Sequence, residues 1–262
     1  MSLMLNYTPS TPTFQFVSHL KTIKHPKIVV LTGAGISAES GIKTFRDNNG
    51  LWENYRVEEV ATPDAFMRNP DLVYQFYNAR REQLLSRDVN PNLAHIALAK
   101  LQNVLQHDFV LVTQNIDNLH ERGGCSDVIH MHGELLSAKC ANTNKTIPIT
   151  DSLTSQTRCS CCQPMSAMRP DIVWFGEMPY HMDSIESHLL TADLFVSIGT
   201  SGNVYPAAGF VQIANHAGAY SIELNLEPSE GQSDFTECHY GLASDLVPAF
   251  VDEVCALVKG VA

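Results

Sequence analysis

Apolar residues gather in five short runs, Ile28–Leu31, Phe109–Val112, Val128–Met131, Leu194–Ile198 and Tyr220–Leu224. These runs are rich in Val, Ile, Leu and Phe, and predict strands buried on both faces. Helical periodicity fills parts of the intervals. Asn92 to Leu101 reads as a helix entering the second run, and Leu72 to Leu85 as another, opened by Asn69-Pro70-Asp71 with proline in its first turn. Strands alternating with helices imply an α/β domain with a mostly parallel sheet. In such sheets ligands bind beyond the carboxyl ends of the strands. Four runs end in polar or glycine-bearing segments, Gly33-Ala34-Gly35, Gln114-Asn115-Ile116-Asp117, Gly199-Thr200-Ser201 and Asn225-Leu226-Glu227, which this architecture would bring to one crevice.

The strand pattern occupies 28–41, 92–134 and 183–258, a Rossmann-like part of a single domain spanning 1–262. It is interrupted twice. Residues 42–91 form a helical insertion, and 135–182, rich in Thr, Ser, Pro and Cys, have the weak periodicity of a small module that leans on a metal.

Charge narrows the partners. A formal net charge of −11 leaves no clustered Lys and Arg to neutralise phosphates, which argues against nonspecific nucleic-acid binding. No stretch has the apolar length of a membrane span, and residues 1–27 lack the basic patch and apolar core of a signal peptide. The expected setting is cytoplasmic, with a small molecule or a basic protein segment as partner and no membrane.

Glycines at Gly33 and Gly35, just after a strand, suit a turn whose backbone N–H groups approach a phosphate. The next glycine, Gly41, falls at the wrong spacing for the usual dehydrogenase fingerprint. Side-chain amides at Gln114 and Asn115 and the Asp117 carboxyl can bond ribose hydroxyls and a carboxamide. His132, before Gly133, could act as a general base, but His130 shares its strand face and spacing does not separate them. Of seven cysteines, Cys159-x₂-Cys162 makes one zinc knuckle and Cys140 a third ligand; Cys161 is the alternative, or a noncysteine ligand completes the shell, or the module has lost its zinc. Tyr77 and Arg80 share a helix face and could grip a carboxylate, with Arg81 also in reach of Tyr77.

Taken in order, Gly33-Ala34-Gly35-Ile36-Ser37, Gly41-Ile42-Lys43-Thr44-Phe45-Arg46, Thr113 to His120, His132-Gly133, Val173-Trp174-Phe175-Gly176-Glu177 and Gly199-Thr200-Ser201 resemble the sirtuins, NAD-dependent protein-lysine deacylases. The resemblance runs from about Ile28 to Val254 and is narrower toward the bacterial class III branch. It implies NAD as cosubstrate, one zinc per chain, and acylated lysine proteins as partners. It selects His132 as base, with Asn115 in the chemistry. It assigns NAD to Gly33, Ala34, Gly35, Ser37, Phe45, Arg46, Gln114 to Asp117, Gly199, Thr200 and Ser201. Asn225, Leu226 and Glu227 would lie toward the adenosine ribose and Ala243 near the adenine. It also implies that Tyr77 and Arg80 read dicarboxylic acyl groups such as succinyl, and that Val173, Phe175 and Gly176 lie on a strand pairing with the substrate peptide. An ADP-ribosyltransferase and a noncatalytic NAD-responsive module are the alternatives.

Overall fold

The computed structural model describes residues 12–43, 51–52 and 55–261. In chain order the strands are β1 (Ile28–Thr32), β2 (Leu51–Trp52), β3 (Tyr55–Arg56), β4 (Phe109–Thr113), β5 (Ile129–His130), β6 (Gly133–Cys140), β7 (Thr146–Pro148), β8 (Met168–Ile172), β9 (Leu194–Ile198), β10 (Tyr220–Asn225) and β11 (Glu237–Tyr240). The main sheet runs β11-β10-β9-β1-β4-β5 and every pairing in it is parallel. All five apolar runs are strands here, though the third is paired only over Ile129–His130.

Continuous apolar runs are explained by cover on both faces. Ile28 and Val30 of β1 pack with Leu98, Ile222 and Phe250 on one side, while Val29 and Leu31 meet Phe195, Phe210 and Met131 on the other. Each such side chain contributes about 1.5–3 kcal/mol on full burial. Asn92 caps the helix Leu93–Leu105 through its Oδ1 and the Ala94 N–H, and Asn69 caps Pro70–Leu84 through Leu72 N–H, with Pro70 in the first turn. The long C-terminal helix Ala243–Val261 lies against Leu93–Leu105.

A second sheet, β7-β6-β8, is antiparallel and adjoins the carboxyl end of β5. Its hinge is Gly133, the first residue of β6, which has φ +82 and pairs with Ile172. The strand order of the main sheet reverses at β1, between β9 and β4, so the crevice opens there. Among the described residues no helix is long and apolar enough to cross a membrane.

Candidate active site

The crevice, about 740 Å³, lies at the carboxyl ends of β1, β4, β9 and β10. Gly33, Ala34, Gly35, Gln114, Asn115, Ile116, Asp117, His132, Gly199, Thr200, Ser201, Asn225, Leu226, Glu227 and Ala243 all line it, with Tyr77, Val173, Phe175 and Gly176. Phe45 and Arg46 lie outside the described residues.

The turn after β1 corrects the phosphate argument. The amides of Gly33 and Gly35 donate to Ile198 O at 2.9 Å and Gly199 O at 2.8 Å, so neither N–H is offered to a ligand. A Cβ on Gly35 would stand 2.7 Å from Gly199 Cα. These glycines let two turns touch and close the crevice floor. Ser37 sits behind that floor, fully buried and off the lining; its hydroxyl donates to Asp117 Oδ2 at 3.1 Å and accepts from Asn115 Nδ2 at 3.2 Å. Asn115 Nδ2 also reaches Gly33 O at 3.1 Å, tying the β4 exit to the β1 turn. Desolvation raises the buried Asp117 carboxyl above its ordinary value, against hydrogen bonds from Leu119 N–H and Ser37.

Contacts separate the two histidines that spacing could not. His132 lines the crevice and its Nδ1 is 3.1 Å from Gln114 O. A carbonyl only accepts, so Nδ1 carries the proton and Nε2 keeps its lone pair. Burial holds His132 below its ordinary value, opposed by the Gln114 bond. His130 instead turns to Glu121, with Nε2 2.8 Å from Oε1.

Tyr77 is buried and its hydroxyl accepts from Trp174 Nε1 at 3.0 Å. Arg80 is half-buried, stacks over Phe76 at 4.8 Å and is not among the lining residues. Arg81 is removed from the choice. It is a buried tie from its helix to the second sheet, donating to Leu135 O at 3.0 Å and Asn78 Oδ1 at 2.9 Å. The segment Val173–Glu177, expected as a strand, is a turn beyond β8, closed by Glu177 N–H to Trp174 O at 2.9 Å. The reason is a clamp. Arg169 forks both Glu177 oxygens at 2.7 and 2.9 Å and stacks on Trp174 at 3.4 Å, folding the chain back.

Cys140, Cys159, Cys161 and Cys162 form one cluster, all four Sγ atoms within 4.8 Å of one another. Cys161 therefore joins the other three rather than replacing one. The Cys140–Cys162 separation of 3.8 Å matches the edge of about 3.8 Å expected for tetrahedral sulfurs at a Zn–S distance of about 2.3 Å, while Cys159 and Cys162 stand closer, at 3.1 Å. Backbone N–H groups of Thr143 and Ser166 point at Cys140 and Cys159 sulfurs, as thiolate ligands require.

Some crevice residues escaped the sequence reading. Glu39 lines it while capping the C-terminal helix, its carboxylate accepting from Ser244 N–H at 2.9 Å and Ser244 Oγ at 2.6 Å. No local pattern announces a cap supplied from so far away in the chain. Trp174 lies in a motif already noted, yet its indole bond to Tyr77 needs the tertiary fold.

A nucleotide-sized crevice at the switch point of a parallel sheet, a histidine at its edge and a small sheet with a four-cysteine cluster beside it define a Rossmann-like protein with a zinc-type module. The chain belongs to the Sir2 family, whose model matches residues 33–206. It is 58% identical over 233 residues to a protein of Yersinia pseudotuberculosis named NAD-dependent protein deacylase, covering 89% of this chain and 84% of that one. A Sir2 homologue–NAD complex superposes with a TM-score of 0.81 at 35% identity, covering 97% and 98% of the two chains. A Sir2 complex with a deacetylated p53 peptide and 3′-O-acetyl ADP-ribose has a TM-score of 0.77 at 30% identity, covering 92% and 97%.

Proposed function

We propose that this chain removes acyl groups from protein lysines and consumes NAD, releasing nicotinamide, free lysine and an O-acyl-ADP-ribose. The observation that carries the reading is His132, on a Sir2-family crevice with its proton committed to Gln114 and its Nε2 lone pair left to accept. That lone pair acts as base on a ribose hydroxyl. Asn115 and Asp117 hold the nicotinamide ribose, with Gln114 and Ile116 beside them. The Gly33–Gly35 and Gly199–Ser201 turns take the pyrophosphate side, Phe45 and Arg46 complete that loop, and Asn225 to Glu227 with Ala243 take the adenosine. Ser37 acts indirectly, through Asn115 and Asp117. Lining by apolar atoms and buried strand ends excludes water, so these dipoles act at low dielectric.

The acylated protein enters at the turn Val173–Glu177, where Gly176 and the carbonyls of Val173 and Phe175 offer backbone to an extended peptide with few demands on its side chains, the N–H groups of Val173 and Phe175 being held by His132 O at 2.9 Å and Ala61 O at 3.0 Å. Tyr77 and Arg80 favour negatively charged acyl groups such as succinyl beside acetyl. In a chain of net charge −11 an anionic acyl group needs a local cation. The test is mass spectrometry of acetyl- and succinyl-lysine peptides with and without NAD, followed by the ratio of kcat/KM for the two. Loss of a charge-assisted bond costs a few kcal/mol, so Arg80→Met cuts desuccinylation at least about tenfold and deacetylation far less. An unchanged ratio in Arg80→Met and Tyr77→Phe rejects the carboxylate-reading role. Accumulation of ADP-ribosylated protein in place of free lysine rejects the deacylase itself.

The four cysteines hold one zinc, through Cys140, Cys159, Cys161 and Cys162. When bound, the metal is structural, a closed four-sulfur site that fastens the loop carrying Cys159 to Cys162 onto the end of β6. Elemental analysis of protein purified without added metal finds about one zinc per chain, and Cys161→Ser lowers retention under mild chelation. Stable, active protein with negligible zinc would overturn this.

A further inference from the structure

His130 stands at the end of β5, buried, with an acceptor at each ring nitrogen. Its Nδ1 lies 3.3 Å from Asn115 O and its Nε2 2.8 Å from Glu121 Oε1. A carbonyl only accepts, and so does an ionised carboxylate. Neutral imidazole has one N–H and can serve one of these neighbours; imidazolium serves both. Burial disfavours the cation here, but the hydrogen bond and charge of Glu121, the charge of Glu134 and the Asn115 carbonyl outweigh it, leaving His130 above its ordinary value. Its other charged neighbours share the effect. Burial raises Asp117 and the His130 charge draws it back toward the carboxylate, while His120 is held far below its ordinary value by burial first and then by His95 and His130.

We propose that His130 is a positioning residue: a buried imidazolium, bracketed by Glu121 and the Asn115 carbonyl, fixes the Asn115 peptide on the crevice floor and releases it on deprotonation. The proposal rests on the deacylase reading only for its effect on turnover. Asn115 is tied by its side chain to Gly33 O and Ser37 and by its N–H to Thr113 Oγ1 at 3.0 Å, so the hold on its carbonyl is a further anchor. Because the folded value is raised, the hold is complete below the ordinary histidine value of about 6.5 and is lost as pH rises through the folded value. The charge of His132 has the opposite sense, since burial keeps that ring neutral. One histidine works uncharged and its neighbour two residues earlier works charged.

The experiment has two arms. Nitrogen-15 NMR of unliganded wild-type protein follows the His130 ring, and carbon-13 NMR the Asn115 carbonyl carbon, with pH. At pH 6.5 the ring is doubly protonated, and the Asn115 carbonyl shift moves with the same midpoint. In Glu121→Gln that midpoint falls by about one pH unit, the loss of one charge-assisted hydrogen bond. The second arm measures kcat/KM for NAD against pH. Its alkaline limb tracks the NMR midpoint in wild type, shifts by the same amount in Glu121→Gln and disappears in His130→Gln. A purely structural role would lower kcat/KM uniformly and leave the limb in place. A singly protonated ring at pH 6.5, a still Asn115 carbonyl, or an unmoved limb in Glu121→Gln overturns the proposal. If no acyl peptide is turned over at any pH, the deacylase reading fails, while the NMR arm still decides whether His130 is the bracketed cation.

Discussion

Replacing His132 with Ala lowers NAD-dependent deacylation at least about 10²-fold, the usual size of a general-base contribution, while the unfolding transition stays close to wild type. Among the described residues the ring makes one hydrogen bond, to Gln114 O, and it lines the crevice rather than the core, so little packing is lost. His130→Gln loses far less near neutral pH, because that ring does not line the crevice and reaches it only through Asn115. The wild-type acid limb supplies a second readout. Burial lowers His132, so activity that requires the neutral ring persists below the ordinary histidine value of about 6.5 and is lost only as pH falls through the lower folded value. Equal and severe losses in both variants, with folding intact, would leave His132 without its role. Steady-state kcat/KM on matched acyl peptides from pH 5 to 9 makes the measurement.

Gly133→Ala, one residue on, is expected to act on folding instead. Its φ of +82 is strained for any residue with a side chain, and a Cβ there would lie 2.1 Å from the Asp171 carbonyl oxygen. Strain alone costs on the order of 1–3 kcal/mol, and a backbone atom in the way forces β6 and β8 apart at their shared end. The total exceeds about 3 kcal/mol, a large share of the stability of an ordinary domain. Gly218→Ala is the control, since φ is +94 there but nothing lies within 4 Å of the added Cβ. Urea unfolding of both variants separates the two causes: equal shifts in midpoint would show that the dihedral angle, not the clash, sets the cost.

The main sheet was legible because its strands are buried on both faces, which writes them as unbroken apolar runs. Its edge strand β11 was not. Glu237-Cys238-His239-Tyr240 reads as polar, and the burial of Glu237 is sustained by distant partners, the amides of Gln15 and Phe16, together with the nearby ring of His239. The second sheet was hidden for a related reason. β8 carries Arg169, Pro170 and Asp171, poor strand formers alone, but Arg169 is neutralised by Glu177, and Asp171 accepts from Tyr180 and Ser137. At the crevice, motif order located the loops, and helix spacing placed Tyr77, Arg80 and Arg81 together. The resemblance selects Arg80, and the structure adds that Arg81 is held by Leu135 and Asn78. Local sequence encodes which residue types share a face; partners from elsewhere in the chain decide what each of them holds.

The glycine contact between the turn after β1 and the turn after β9 also sets an order of events during synthesis. β1 leaves the ribosome before either of its neighbours, and β4 can cover one of its edges early, yet the other edge waits for β9. At roughly 5–20 residues per second, that edge stands open for on the order of ten seconds or more. Throughout that interval the chain carries an apolar strand with unpaired N–H and C=O groups, a template for the wrong partner. The crevice floor does not exist until Gly199 meets Gly35, so a nascent chain has nothing with which to hold a nucleotide. Ligand binding thus rewards only the finished molecule, and the most vulnerable moment for this fold is the emergence of its middle third.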